Sequence, residues 1–188
     1  MRFDLHATEI PDVVVVQFEE FADDRGFFRE IYRQDLFAAL GLPAAFVQIN
    51  QSGSRRGVVR GLHFQWDPPM GKLMRVTAGE AFLVAVDIRQ GSPTLGRWIG
   101  RTLNAESRQH IWAPAGFARG FCVTSDWAEV EYLCTGTYNG GAEGSIRWND
   151  LEVGVDWPVR EPVLSTKDRD APSFREWLDR PEAAQLAI

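Results

Sequence analysis

An all-β barrel or sandwich with helices only at its periphery is the fold this sequence predicts, and three features predict it. Short segments rich in Val, Ile, Leu, Phe and Trp recur along the whole chain. Turn residues punctuate them, with 17 glycines and 10 prolines among 188 residues. Only two stretches carry the apolar spacing of a helix. Many short strands at such spacing, without alternating helices, argue against a parallel sheet. The first element, residues 13–18, is a continuous β-branched run ending in Phe18, as in a buried strand. Residues 35–40 read as a helix, acidic at Asp35, stopped by Gly41 and followed by Pro43. Strands are then expected at 46–52, 58–65, 72–78, 80–88, 98–103, 110–113, 120–123, 128–136 and 145–148. Pro68-Pro69, Ala78-Gly79, Gly91-Ser92-Pro93 and Gly140-Gly141 supply breaks between them. A second helix is expected at 173–178, with Ser173 as N-cap and Phe174, Trp177 and Leu178 on one face.

Charge and composition narrow the function classes. The chain has 20 Lys+Arg against 26 Asp+Glu, a formal charge of −6, and no basic tract. A general nucleic-acid binder or a polybasic membrane module is therefore not expected. No apolar run approaches the ~18–20 residues of a membrane span. Charges in Met-Arg-Phe-Asp-Leu-His stand where a signal peptide needs its apolar core. Cys122 and Cys134, in apolar surroundings, read as free buried thiols rather than a disulfide framework or zinc site. Without repeats or linkers, residues 1–188 are expected to form one cytoplasmic domain.

Three histidines offer acid–base chemistry. In Arg60-Gly61-Leu62-His63-Phe64-Gln65, alternation puts Leu62 and Phe64 on one face and His63, Gly61 and Gln65 on the other. Two arrangements remain open there. An apolar inter-sheet core would turn His63 to solvent, whereas a polar lumen would admit His63, Gln65 and Arg60. His6 reads as bland and His110 as structural. So few imidazoles make a His-based metal site unexpected, and no metal or cofactor is predicted. Metal-free proton transfer beside a carbonyl needs a base, a stabiliser for the enolate oxygen and an acid. His63 could be the base. Lys72 opens an apolar strand as one of only two lysines, the other being Lys167. Tyr132 and Tyr138, six residues apart, share a strand face if Gly136 leaves the strand unbroken. Arginines near glycines or strand ends, including Arg25, Arg29, Arg60 and Arg119, suit an anionic substrate such as a phosphate.

Seven strings, in order, resemble the dTDP-4-dehydrorhamnose 3,5-epimerase family: DDRGFFRE (23–30), QINQS (48–52), RGLHFQ (60–65), KLMRVTAGEAFLVAVDIRQGSPTLGRW (72–98), IWAPAGFARGF (111–121), EYLCTGTY (131–138) and LSTKD (164–168). The resemblance implies a cupin-like jelly-roll barrel with a few short peripheral helices, working without metal as a homodimer on a nucleotide-diphosphate sugar. It implies His63 as general base, Asp168 as its orienting partner, Lys72 on the enolate oxygen and Tyr132 as acid on the opposite face. Arg60 and Arg25 would contact the diphosphate, and Phe27, Glu30, Gln48, Asn50 and Tyr138 would line the nucleotide and sugar sites. Residues around Arg25 to Glu30 would complete the neighbour's nucleotide site. A strand at 13–18 would be an open edge, protected by pairing with a second subunit.

Arg119 departs from the family's Gly-Phe-Ala-His-Gly-Phe, giving Gly116-Phe117-Ala118-Arg119-Gly120-Phe121. Arginine cannot act as a base near neutral pH, but it can bind a phosphate or an enolate oxygen. The expected activity is thus inversion at C3, C5 or both of a dTDP-4-keto-6-deoxy sugar. A single-carbon epimerase of a related sugar is the first alternative and a non-enzymatic nucleotide-sugar binder a distant one. The loop Trp66-Asp67-Pro68-Pro69 is a second, smaller departure.

Overall fold

The computed structural model describes residues 1–188 and places two antiparallel sheets face to face. The first holds six strands, in spatial order β1 (Phe3–Ala7), β2 (Val14–Phe18), β10 (Gln109–Ala113), β7 (Lys72–Ala78), β12 (Trp127–Cys134) and β5 (Gln48–Arg55). The second holds five, in the order β13 (Glu143–Ser145), β6 (Val59–Gln65), β11 (Phe117–Val123), β8 (Glu80–Asp87) and β9 (Trp98–Asn104). A separate hairpin joins β3 (Glu20–Asp23) to β4 (Gly26–Arg29), turning where Gly26 takes a φ of +123°. Helices α1 (Gln34–Ala39), α2 (Thr166–Arg169) and α3 (Phe174–Leu178), and a 3-10 turn at Pro181–Leu186, lie outside the sheets. The jelly-roll expectation therefore holds, with short helices at the periphery.

Each sheet is apolar on both faces at one end, which is why several strands read as continuous apolar runs. Between the sheets, Val15, Val76, Leu83, Ile99, Ile111, Phe121 and Val130 belong to one core. Outside the five-stranded sheet, Leu62, Phe64, Val84 and Cys122 pack with Ile146, Phe174 and Trp177. Outside the six-stranded sheet, Val16, Leu73, Trp112 and Leu133 pack with Phe37 of α1. The valine run thus divides, Val15 facing the inner core and Val16 the outer one. Along β7 the inward set starts with Lys72 and continues to Met74 and Val76. This row thus runs from a cation at the cavity into the apolar inner core.

Most expected strands lie within three residues of their predicted ends. Four segments do not follow the local pattern. Strand β1 is mostly solvent-facing and is held by pairing with β2, from Phe3↔Phe18 to Ala7↔Val14. That pairing also corrects the expectation of an open edge at 13–18. Strand β2 is covered by β1 on one side and β10 on the other, so the sheet's edges are β1 and β5. The strand expected at 145–148 is instead Glu143–Ser145, because Arg147 N–H turns away to the Pro172 carbonyl at 2.8 Å. Strand β12 stops at Cys134, so Tyr138 leaves the strand that carries Tyr132.

Candidate active site

A β-bulge in β6 sets the geometry of the site. Arg119 pairs with His63 and Phe121 with Arg60, so two steps on β11 oppose three on β6. Simple alternation would send Arg60 and His63 to opposite faces. The extra residue brings both into the space between the sheets. Glycines make the bulge possible. Gly61 sits at φ +139°, and a Cβ there would lie 2.7 Å from the Gly120 Cα. Of the two arrangements the sequence left open, the polar lumen is the one that forms.

The cavity is about 120 Å³ and is lined by Arg60, His63, Lys72, Met74, Arg119, Gly120, Phe121 and Tyr132. His63 rises from the five-stranded sheet, and Tyr132 and Lys72 from the six-stranded one. Base and acid candidates therefore face the space from opposite walls. His63 Nε2 lies 2.5 Å from Asp168 Oδ1. Asp168 is held in turn by the Ser165 hydroxyl, which donates to its Oδ2 at 2.9 Å, while its own N–H caps onto Ser165 Oγ. Burial opposes charge on Asp168, but the hydrogen bonds from His63 and Ser165 keep its carboxyl below the usual range. An ionised Asp168 fixes the imidazole's tautomer and leaves Nδ1 as the ring nitrogen free to exchange a proton.

Lys72 Nζ stands 4.8 Å from the centre of the Tyr132 ring. Burial, then the nearby Arg119 charge, pulls the Lys72 ammonium down to about 8. Burial pushes the Tyr132 hydroxyl above its usual value, so it stays protonated near neutral pH. Arg60 Nε donates to Ser54 Oγ at 3.0 Å, which orients its guanidinium. Arg119 is 3% exposed; its Nη2 donates to the carbonyls of Met70 and, at 3.0 Å, Pro114, and its Nε and Nη1 have no partner in the chain.

Other expected residues fall into two groups. Gln48 and Asn50 lie beside the cavity on β5, opposite Cys134 and Tyr132, and Gln48 Nε2 donates to Asn50 Oδ1 at 3.0 Å. Tyr138 sits just beyond, its N–H donating to Gln48 Oε1 at 2.8 Å and its hydroxyl reaching Glu143 Oε2 at 3.1 Å. Arg25, Phe27 and Glu30 lie on or just after the β3–β4 hairpin and line no part of this cavity within one chain. Arg25 is exposed and paired with Asp23 at 2.5 Å, while Phe27 lies under the Arg29 guanidinium. Glu143 and Ser165 escaped the sequence reading. Glu143 accepts from Lys167 Nζ at 2.5 Å and Tyr138, pairs across from Gln65, and is lowered by Lys167 despite burial. A Ser three residues before Asp168 is a helix-cap signal that could have found Ser165. Trp66 stacks 5.5 Å from Trp177 on the outer face, away from the site. His110 is fully buried, donates from Nε2 to the Ile31 carbonyl at 3.0 Å, and is pulled by burial down to about 3, as befits a structural histidine. No group of three or more His, Cys, Asp or Glu side chains gathers as metal ligands.

Comparison with known proteins gives this geometry its context. The family model for dTDP-4-dehydrorhamnose 3,5-epimerase matches residues 7–176. A dTDP-4-dehydrorhamnose 3,5-epimerase of Pseudomonas aeruginosa is 50% identical over 169 residues, covering 89% of this chain and 93% of that protein. A dTDP-4-dehydrorhamnose 3-epimerase of Streptomyces niveus is 44% identical, covering 86% of this chain and 79% of its own length. The crystal structure of a dTDP-6-deoxy-D-glucose-3,5-epimerase from Legionella pneumophila, in complex with dTDP-4-keto-L-rhamnose, superposes with a TM-score of 0.92 at 41% identity, covering 97% of each chain. Matched in sequence over most of its length and in fold over nearly all of it, the chain belongs to the dTDP-4-dehydrorhamnose 3,5-epimerase family and is an epimerase of sugars.

Proposed function

We propose that this protein inverts carbons 3 and 5 of a dTDP-4-keto-6-deoxy sugar, taking a proton from beside the ketone and returning one to the opposite face. One observation carries the reading: His63 with Asp168 on one wall faces Tyr132 with Lys72 on the other, across one small cavity. In this scheme His63 Nδ1 removes the C–H proton, and the electron pair moves onto the ketone oxygen. The Lys72 ammonium balances the resulting enolate charge. The Tyr132 hydroxyl then delivers its proton to the far face, and the nearby ammonium eases the phenolate that forms. Proton exchange with solvent resets both groups.

Binding follows from the same surroundings. A cavity of about 120 Å³ suits a sugar ring more than a whole nucleotide sugar, with Arg60 set to meet the diphosphate. Gln48, Asn50 and Tyr138 extend the polar wall outward, and Arg119 adds a further cation. Arg25, Phe27 and Glu30 serve a neighbouring chain's nucleotide in a homodimer. The hairpin's Phe21, Phe27 and Phe28 are 55%, 63% and 63% exposed, which favours a partner surface over them. We assign the enzyme to the cytoplasm, in keeping with two free thiols that a reducing compartment preserves. A single-carbon epimerase is the second reading, favoured by Arg119 and by the 44% identity to the Streptomyces niveus 3-epimerase.

Incubation with dTDP-4-keto-6-deoxyglucose in deuterium oxide tests this. Deuterium at C3 and C5 is the expected result, and label at one carbon selects the second reading. Binding without any label would overturn the enzymatic assignment to this substrate.

A further inference from the structure

Charge in the cavity is unbalanced. Three cationic side chains, Arg60, Lys72 and Arg119, line it, and no carboxylate does. Two acids bonded around it are engaged elsewhere, Asp168 by His63 and Ser165, and Glu143 by Lys167 and Tyr138. Arg119 is the sharpest case. Its side chain starts on the five-stranded sheet, directly across from His63, and crosses to carbonyls of Met70 and Pro114, which flank the Lys72 strand and its neighbour. That leaves Nε and Nη1 buried and unpartnered, on a side chain that lines the cavity together with Lys72, whose ammonium Arg119 also repels. Buried donors left unpartnered are costly, more so when charged, so a ligand oxygen is their natural complement.

We propose that Arg119 is a second oxyanion donor for the reaction, its guanidinium and the Lys72 ammonium together holding the ketone oxygen as it becomes the enolate. This rests on the proposed proton-transfer chemistry and deepens it. No proton moves through Arg119: the C–H bond breaks to His63, its electron pair ends on the oxygen, and the guanidinium only donates hydrogen bonds. Two fixed cations at one oxygen stabilise charge that develops in the transition state more than the neutral ketone, so the gain falls on kcat rather than on binding.

R119Q and R119K test the assignment, read by deuterium exchange, by kcat and KM, by dTDP affinity and by the pH profile. The groups that face Lys72 and could shape that profile are Arg119, Cys134, Tyr132, Glu143 and Lys167. Removing one oxyanion donor should slow exchange and kcat in R119Q by about 100-fold, with dTDP affinity unchanged. R119K should recover part of the loss. The alkaline limb of the R119Q profile should also move to higher pH, because Lys72 loses a neighbouring cation. A role confined to folding would lower the active fraction and leave kcat per dTDP-binding site at the wild-type value, which would overturn the proposal. Exchange in R119Q at the wild-type rate would overturn it too, as would a loss of dTDP affinity matching the loss of rate, since the guanidinium would then serve a phosphate. Wild-type protein that exchanges no proton would instead sink the underlying proton-transfer reading.

Discussion

His63 shows what one residue's surroundings add to its identity. An imidazole in a strand has many plain uses, and the Asp168 contact at 2.5 Å gives this one a fixed tautomer and a carboxylate partner. In His63→Ala, exchange of the C3 and C5 protons should fall to background while the melting temperature stays near wild type, as measured by NMR and thermal unfolding. Retained exchange would refute the base assignment. Tyr132→Phe should slow epimerisation more than exchange, because abstraction precedes the reprotonation that inverts the centre. Lys72 fixes an expected pH limit. In the proposed scheme it supports the oxyanion as a cation, and burial beside Arg119 brings its pKa to about 8. Activity should therefore be lost as pH rises through about 8, and a kcat profile that stays flat to pH 10 would contradict this. Asp168 illustrates what the sequence could not supply. Nothing within Ser165-Thr166-Lys167-Asp168 reveals that it meets a histidine 105 residues away, and only the family resemblance pointed to it.

At the scale of elements, the bulge in β6 matters most. Regular alternation along β6 would hide Arg60 from the side that holds His63, and the pair at 60 and 63 share the cavity only because the register slips by one residue against β11. Gly61→Ala would force a Cβ to 2.7 Å from the Gly120 Cα at a positive φ. It should cost more in activity than in secondary structure, with dTDP affinity and exchange both reduced while the far-ultraviolet circular dichroism is kept. Helix α3 was legible for a different reason. Around α3, Ser173 accepts from the Glu176 N–H and Glu176 reaches back to Ser173, a capping box written in four consecutive residues. Ser173→Ala should cost about 1 kcal/mol of stability in denaturant unfolding. Strand β1 and the β3–β4 hairpin had no such local signature, since their residues are largely exposed and gain order from pairing.

Across the whole molecule, the sheets are covered on both outer faces, and the two covers use different parts of the chain. Helix α1 closes the six-stranded sheet, and the C-terminal segment with Phe174 and Trp177 closes the five-stranded one. His110 lies buried within this arrangement as a neutral ring, its pKa pulled from 6.5 to about 3. The unfolded chain takes up that proton more readily, so its contribution to stability is complete above about 6.5 and shrinks as pH falls toward 3. Melting curves of the wild type and His110→Gln should converge as pH is lowered from 7 to 4. A constant gap would show that His110 does not titrate there. The proposed homodimer makes its own demand on the assembly. If the hairpin of one chain serves the nucleotide of another, specific activity should drop on dilution, with the dimer followed by sedimentation.

The sequence by itself determined the strand-rich class, most strand positions, both predicted helices, the free thiols and the residue types that the proposed proton transfer needs. Those properties live in local patterns of period two, in turn residues and in side-chain chemistry. Tertiary structure alone decided which side of β6 faces the lumen, that β2 is an inner strand, that Tyr138 leaves the strand of Tyr132, and that Arg119 ends buried beside Lys72 with two donors free. Register slips and contacts between distant segments set those outcomes, and neither leaves a mark within any single stretch of residues.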